Sequence, residues 1–135
     1  MTGKYMSSNV IKRTNTILYC RRWAAAVAFY RDVLGLVVHL ETDWFVEFHL
    51  AGDAYLSVAD DRRASVKSAG GAGITLSFQV DDAAAWRGRL ECRGVAAGKI
   101  RRHWGASVFF FRDPEGHRIE IWSPVPPSAD DDIGH

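Results

Sequence analysis

The chain has 135 residues, of which 47% are hydrophobic and 24% are charged, and its formal net charge is +1. This composition is typical of one globular domain and gives no broad electrostatic basis for binding nucleic acid or an acidic membrane. No apolar run approaches the roughly 18 residues of a membrane span, and the two cysteines form no CxxC pair, so we expect a cytoplasmic protein with free thiols.

The first module is predicted at residues 14–60, after a polar stretch at 1–13 that predicts a flexible arm. It begins with a strand around Thr16–Cys20. A helix follows, because apolar residues at helical spacing share one face, namely Trp23, Val27, Tyr30 and Leu34. Three alternating runs then predict strands at Leu36–Glu41, Trp44–Leu50 and Ala54–Ala59.

The second module is predicted at residues 74–123, after a glycine-rich linker at 61–73. Ile74–Val80 alternates as a strand, and Asp81 or Asp82 can cap a helix that carries Trp86 and Leu90. Three further strands are predicted at Lys99–His103, Ala106–Arg112 and His117–Trp122. The order βαβββ therefore occurs twice, and the proline-rich acidic tail at 124–135 is predicted to be disordered.

Alternation along the strands separates two faces of the predicted sheet. The apolar face would pack on the helices through Leu18, Leu76, Phe78, Val80, Ile119 and Ile121. The opposite face would carry Asn15, Ile17, Tyr19, Thr75, Ser77, Gln79, Arg118, Glu120 and Trp122. Aromatic rings among polar groups are typical of a concave binding face. Both cysteines, Cys20 and Cys92, are expected to be buried core residues.

Two motifs carry a resemblance to a known family. Phe29-Tyr30-Arg31-Asp32-Val33-Leu34-Gly35 resembles the FYxxxLG signature of the vicinal oxygen chelate superfamily, and Asp113-Pro114-Glu115-Gly116-His117 with Glu120 resembles its DPxGHxxE signature. The resemblance covers residues 14–123. It implies an α+β fold in which two βαβββ modules form a curved mixed sheet with a concave cavity face, and it implies a homodimer. The superfamily includes glyoxalase I, extradiol dioxygenases and metal-free bleomycin-binding proteins.

The resemblance also implies where metal ligands would lie. The histidine of the opening strand would fall at Asn15, the histidine of the second module at Thr75, and the carboxylate of glyoxalase I near Leu56. Only the last ligand position, Glu120, is retained. One carboxylate cannot hold zinc or iron, which need several histidine, cysteine or carboxylate ligands. We therefore expect no metal and no cofactor, with an atypical set of Glu47, His49 and Glu120 as the alternative.

The function predicted is binding and sequestration of a hydrophobic or aromatic small molecule, as in bleomycin-resistance-type members. Glu120 would be a polar anchor, because Arg118 on the same face favours its charged form. The alternatives are a glyoxalase-like lyase, isomerase or dioxygenase with an atypical ligand set, and a structural or regulatory dimer with an empty cavity. No catalytic residue is identified. The predicted ligand-binding residues are Asn15, Tyr19, Trp44, Glu47, His49, Thr75, Ser77, Trp104, Arg118, Glu120 and Trp122.

Overall fold

A computed structural model describes residues 9–125 of the chain. The chain divides between Ser68 and Ala69 into two compact units, and each unit holds one four-stranded sheet. Most of the predicted arm and tail, residues 1–8 and 126–135, lies outside the described residues. Within residues 9–125, no helix is long and apolar enough to cross a bilayer.

Unit 1 contains the first βαβββ module. Its strands are β1 (Thr14–Cys20), β2 (Val37–Glu41), β3 (Phe45–Ala51) and β4 (Ala54–Asp60), in the spatial order β1-β4-β3-β2. β1 runs parallel to β4, and the other neighbours are antiparallel. The sheet is therefore mixed, as expected when a helix connects β1 to the rest of the module.

The helix of unit 1 changes its winding halfway. It is α-helical as α1 (Trp23–Ala28) and continues as a π-helical segment over Phe29–Val33. The wider turn is closed by the Leu34 N–H, which donates to the Phe29 carbonyl at 3.0 Å. Both aromatic residues of the FYxxxLG motif are buried there, with their rings edge to face at 5.4 Å between centroids. The apolar spacing had predicted one regular helix.

Unit 2 repeats the arrangement. Its elements are β5 (Thr75–Gln79), α2 (Ala83–Cys92), β6 (Arg101–His103), β7 (Ala106–Arg112) and β8 (Arg118–Pro124), with the strands in the order β5-β8-β7-β6. Asp82 is the cap of α2, because its Oδ1 accepts from the Ala85 N–H at 3.1 Å. β8 continues through Ser123 to Pro124, the first residue of the predicted tail.

The predicted division between apolar and polar faces is present in both sheets. Leu18, Leu56 and Val58 are buried in unit 1, and Leu76, Ile119 and Ile121 are buried in unit 2. Cys20 is buried as predicted, but Cys92 is exposed, because it lies on the solvent side of the last turn of α2. The fold class is confirmed: the protein is α+β, with two βαβββ modules that each contain a mixed sheet. We call the side of each sheet that carries Asn15 or Glu120 its polar face.

The predicted linker at 61–73 is held by specific contacts. The Asp61 carboxylate accepts from the Ser68 N–H at 3.1 Å, and Lys67 Nζ donates to the Asp61 carbonyl at 2.6 Å. Gly71 is buried against the backbone of Gly116 and His117. Part of the predicted linker is therefore packed into unit 2.

Candidate functional site

Strand register decides which side chains meet on the polar faces. In unit 1, Asn15 lies opposite Tyr55, and Glu47 lies opposite Ser57. In unit 2, Thr75 lies opposite Arg118, and both Ser77 and Phe110 lie opposite Glu120. Cross-strand partners share a face, so each unit collects its polar groups into one cluster. By this register Ser57 and Glu120 occupy equivalent positions, as do Asn15 and Thr75.

The polar face of unit 1 is organised around a buried carboxylate. The Glu47 cluster consists of Arg13, Asn15, His39, Glu47 and Ser57. Asn15 Nδ2 donates to Glu47 Oε1 at 3.3 Å, and Ser57 Oγ donates to Asn15 Oδ1 at 2.8 Å. On the other carboxylate oxygen, His39 Nδ1 lies at 2.7 Å and the Arg13 guanidinium forms an ion pair. Three donors therefore satisfy Glu47, which a buried charge requires.

A β-bulge in β2 lies beside this carboxylate. Val38 pairs with Phe48 and Leu40 pairs with Glu47, so His39 is the extra residue between them. A bulge sets two residues of one strand against one residue of its neighbour and redirects a side chain. The pairs Val37–His49 and Val38–Phe48 that precede the bulge already direct residue 39 toward Glu47, on the face that Glu47 shares with His49. The pairing of β2 with β3 therefore brings His39 to Glu47, and the bulge shifts the partners of the residues that follow.

Tyr55 forms the aromatic part of the same face. The guanidinium carbon of Arg13 lies 3.6 Å from its ring centroid, and the rings of His39 and His49 lie at 5.0 and 5.2 Å. His49 Nε2 is hydrogen-bonded to the Gly52 carbonyl at 2.9 Å. Glu47 and His49 share this face of β3, but the imidazole hydrogen-bonded to Glu47 is that of His39, and His49 is hydrogen-bonded to the turn carbonyl of Gly52.

The polar face of unit 2 carries a smaller cluster. Ser77 Oγ donates to Glu120 Oε1, and Arg118 Nε donates to Thr75 Oγ1 at 2.9 Å. The Arg118 guanidinium also lies over the Phe110 ring, 4.5 Å from its centroid. Glu120 is partly buried, whereas Thr75, Ser77 and Arg118 are exposed. The predicted placement of Glu120 on the face opposite Ile119 and Ile121 is confirmed.

The Asp113–His117 turn serves the fold. Asp113 Oδ1 accepts from the N–H groups of Glu115, Gly116 and His117, each at 2.9 Å, and its Oδ2 lies 2.9 Å from His117 Nδ1. Both side chains are buried. His117 is therefore held by hydrogen bonding within the turn. Asp113 and His117 are buried and bonded to each other, so Glu120 is the residue of the motif whose side chain faces outward.

The predicted aromatic residues occupy different surroundings. Tyr19 and Trp122 are partly buried on the polar faces of β1 and β8. Trp44 precedes β3, with its ring 5.7 Å from that of Phe45. Trp104 lies in the turn between β6 and β7 with a relative exposure of 101%, so it belongs to neither cluster. Its φ of +54° is uncommon for a bulky residue and fits the tight turn between these strands.

Four positions of this chain correspond to the expected metal ligands. The position of the glyoxalase I carboxylate, predicted near Leu56, corresponds to Ser57, because Leu56 is buried in the core while Ser57 donates a hydrogen bond to Asn15 on the polar face. The set is thus Asn15, Ser57, Thr75 and Glu120, which offers one amide, two hydroxyls and one carboxylate. These donors do not fit zinc, nickel or iron, which favour imidazole, thiolate and several carboxylates. Among residues 9–125, no three His, Cys, Asp or Glu side chains are arranged to hold a metal ion.

Unit 2 also has a polar cavity that the sequence did not indicate. Its volume is about 310 Å³, and its lining includes Asp81, Asp82, Arg102 and Ser123. None of the predicted ligand-binding residues lines it. It lies at the end of β8 and beside the start of α2, away from the register positions of Ser77 and Glu120.

The paired βαβββ modules and the two motifs agree with a family match. The Glyoxalase/Bleomycin resistance protein/Dioxygenase superfamily matches residues 11–121. The chain belongs to this superfamily. No curated protein shows a significant match to this superfamily member.

Solved structures agree with this assignment. A lactoylglutathione lyase from Agrobacterium tumefaciens is 28% identical, with 82% of this chain and 91% of that chain covered and a TM-score of 0.67. TnmS3, an antibiotic binding protein from Streptomyces sp. CB03234, is 21% identical over 85% of this chain and 97% of its own, with a TM-score of 0.73. Oxidase ChaP-H2 is 23% identical over 86% and 96%, with a TM-score of 0.67. The last two likenesses show the shared fold alone.

Sequence reasoning missed four residues of the unit 1 face. Ser57 and Tyr55 could have been found, because they alternate within β4 on the side opposite Leu56. Arg13 lies two residues before Asn15 and shares its face by the same rule, but it fell within the predicted flexible arm. His39 had no such signal, because its place beside Glu47 depends on how β2 pairs with β3, which the sequence of β2 alone does not give.

Proposed function

We propose that this superfamily member binds a hydrophobic or aromatic small molecule without a metal ion and thereby removes it from solution. The observation that supports this most is the donor set at the ligand positions. Asn15 accepts from Ser57, and Glu120 accepts from Ser77, so these groups satisfy one another within the protein. Hydrogen-bonded anchors among aromatic rings are typical of small-molecule sites.

The aromatic residues of the polar faces supply the apolar part of the proposal. Tyr55 and Tyr19 lie on the face of unit 1, and Phe110 and Trp122 lie on the face of unit 2. Each is partly buried, so its ring is neither enclosed in the core nor fully solvated. An aromatic contact adds about 0.5–1.5 kcal/mol beyond the burial of area. TnmS3, an antibiotic binding protein of the same fold, supports small-molecule binding.

The second candidate is a lyase, isomerase or dioxygenase with an atypical ligand set. The 28% identity to a lactoylglutathione lyase and the retained Glu120 favour it. The donor chemistry opposes it, because Asn15, Ser57 and Thr75 hold neutral oxygens where such metals would need imidazole or carboxylate. We also propose a homodimer located in the cytoplasm; sedimentation velocity would measure the mass, and a monomer would contradict the dimer.

One set of measurements separates the two candidates. The purified chain would be analysed for zinc, nickel, manganese and iron, and its melting temperature would be measured with a panel of aromatic antibiotics and metabolites. We expect far less than one metal per chain and a stabilisation by at least one compound that EDTA leaves unchanged. A ligand at a hundred times its Kd stabilises the folded state by about 2.7 kcal/mol.

Two variants control this experiment. Glu120→Gln keeps the shape of the side chain and removes its charge, and it should weaken binding of the stabilising compound. Glu91→Gln alters a carboxylate on α2 that pairs with Arg87, so it should leave binding unchanged. Stoichiometric metal that is lost in Glu120→Gln would contradict the metal-free proposal.

A further inference from the structure

The Glu47 cluster presents its nitrogen-bearing side chains to solvent and hides its carboxylate. The side chains of Arg13 and His39 are 41% and 54% exposed, whereas that of Glu47 is 8% exposed. A ligand that approaches this face therefore meets a guanidinium and an imidazole before it meets the carboxylate. Charge interactions in such partly buried surroundings are stronger than those between fully solvated groups.

Both exposed groups keep nitrogen atoms that can bind a ligand. Among residues 9–125, the contacts of Arg13 are with Glu47 and the Tyr55 ring, which leaves further guanidinium N–H groups open. His39 uses Nδ1 on Glu47, and within the same residues its Nε2 has no hydrogen-bond partner. A guanidinium has five N–H donors, so Arg13 can bind the Glu47 carboxylate and a ligand together. With Nδ1 donating to Glu47, the Nε2 of His39 donates to a ligand carboxylate only when the ring carries a second proton, so binding there takes up one proton from water.

The geometry holds these two groups in place. Glu47 bonds both of them through Oε2, and Tyr55 contacts both, with its ring under the Arg13 guanidinium and beside the His39 imidazole. The pairing of β2 with β3 places the His39 ring on this face, next to the bulge. A buried carboxylate that orients a cation and an imidazole lowers the entropy cost of binding at their outer nitrogens.

We propose that Arg13 and His39, positioned by Glu47, bind the carboxylate of a small aromatic or apolar ligand. This inference rests on the proposed function and names the chemical class of its ligand. Hydrogen bonds between a guanidinium and a carboxylate are charge-assisted and geometrically specific. Glu47 is a positioning residue, because Arg13, Asn15 and His39 surround its oxygens and separate them from a ligand.

Three probes with the same ring and different charge test the ligand class. The full chain would be titrated with benzoate, benzyl alcohol and benzamidine, and the histidine Cε1–Hε1 signals would be followed by NMR. We expect benzoate to shift the His39 signal and to bind about tenfold more tightly than benzyl alcohol, which corresponds to about 1.4 kcal/mol. Benzamidine should bind no more tightly than the alcohol, because Arg13 repels its cation.

Variants identify the residues responsible. Arg13→Met and His39→Gln should each weaken benzoate binding about tenfold, as expected for loss of one charge-assisted hydrogen bond. His49→Gln is the matched control, because its ring is as close to Tyr55 but its Nε2 is held by Gly52. It should change the affinity less than twofold by the same reasoning. The circular dichroism spectrum of each variant checks that it is folded.

Glu47→Gln tests the positioning role separately. It keeps the volume of the side chain while it removes the charge that orients His39. We expect weaker benzoate binding together with loss of the single His39 tautomer, which the ring ¹⁵N shifts report. A residue with a merely structural role would leave that tautomer unchanged in a folded variant. Arg13→Lys should restore part of the affinity that Arg13→Met loses, because it returns the positive charge without the planar fork.

Several results would overturn the inference. These are tighter binding of benzamidine than of benzoate, no benzoate binding, equal losses in His39→Gln and His49→Gln, or full benzoate affinity in Arg13→Met. Failure of the proposed function looks different. A compound that stabilises the wild type and Arg13→Met equally would leave that function standing and refute this site. Stoichiometric metal would refute the metal-free function whatever benzoate does.

Discussion

Replacement of Gly71 by alanine, compared with the same change at Gly73, measures how tightly the segment before β5 packs on the Asp113–His117 turn. Both glycines have nearly the same backbone conformation, with φ of +82° and +81°. An alanine in this left-handed region costs about 1–2 kcal/mol, so this cost is common to both variants. The difference between them therefore reports packing alone.

The packing contribution follows from the atoms that a Cβ would meet. At Gly71 it would lie 2.3 Å from the Gly116 carbonyl carbon and 2.4 Å from the His117 nitrogen, whereas at Gly73 nothing lies within 4 Å. These are backbone atoms, so no side chain can rotate away. Overpacking costs about 1–3 kcal/mol, and a shift of this turn would also strain the hydrogen bonds to Asp113. We expect Gly71→Ala to be at least about 2 kcal/mol less stable than Gly73→Ala.

Urea denaturation followed by circular dichroism would measure both free energies of unfolding. Equal slopes with urea concentration would show that the two variants expose similar surface on unfolding. A difference between Gly71→Ala and Gly73→Ala within about 0.5 kcal/mol, the error of such comparisons, would refute the close contact between residue 71 and the turn.

Two further predictions concern buried aspartates. Asp113→Ala leaves three backbone N–H groups and His117 without their acceptor and should lower the free energy of unfolding, measured in urea, by about 3–5 kcal/mol. Asp113→Asn keeps an acceptor oxygen and should lower it by about 1–2 kcal/mol. A loss below about 1 kcal/mol in Asp113→Ala would contradict this role. Hydrogen bonds from the Arg62 side chain hold the pKa of Asp60 below its ordinary value, despite burial that raises it. This stabilisation is present above the unfolded pKa of about 3.9 and is lost as pH falls through the lower folded pKa. Arg62→Met should therefore melt lower than wild type at pH 6, with the gap closing below about pH 3, and a gap independent of pH would refute the linkage.

Local patterns predicted the elements well because their physical causes are local. Alternation over β8 placed Ile119 and Ile121 in the core, and both are buried. The Asp113 turn is predictable from its residue types, because hydrogen bonds between the Asp113 side chain and the adjacent backbone form it. The π-helical segment escaped prediction, since its apolar residues also fit a regular helix.

The candidate site was predicted only in part, because it depends on pairing between distant strands. Asn15, Glu47 and Glu120 were expected on polar faces from the alternation of their own strands. Which neighbours they meet depends on register, and this assigned Ser57 to Asn15 and His39 to Glu47. One residue of slip or one bulge changes every such neighbour.

The sequence by itself determined the two βαβββ modules, the superfamily, and the fact that positions 15 and 75 hold asparagine and threonine where metal-binding members have histidine. These follow from residue identity and short-range periodicity, which a linear chain displays. Only the tertiary structure decided that Arg13 and His39 converge on Glu47, and that Gly71 packs against the Asp113–His117 turn. Those contacts depend on how separate segments pair and pack, with Glu47 lying 8 residues from His39 and 34 from Arg13 along the chain, and no single segment shows that pairing.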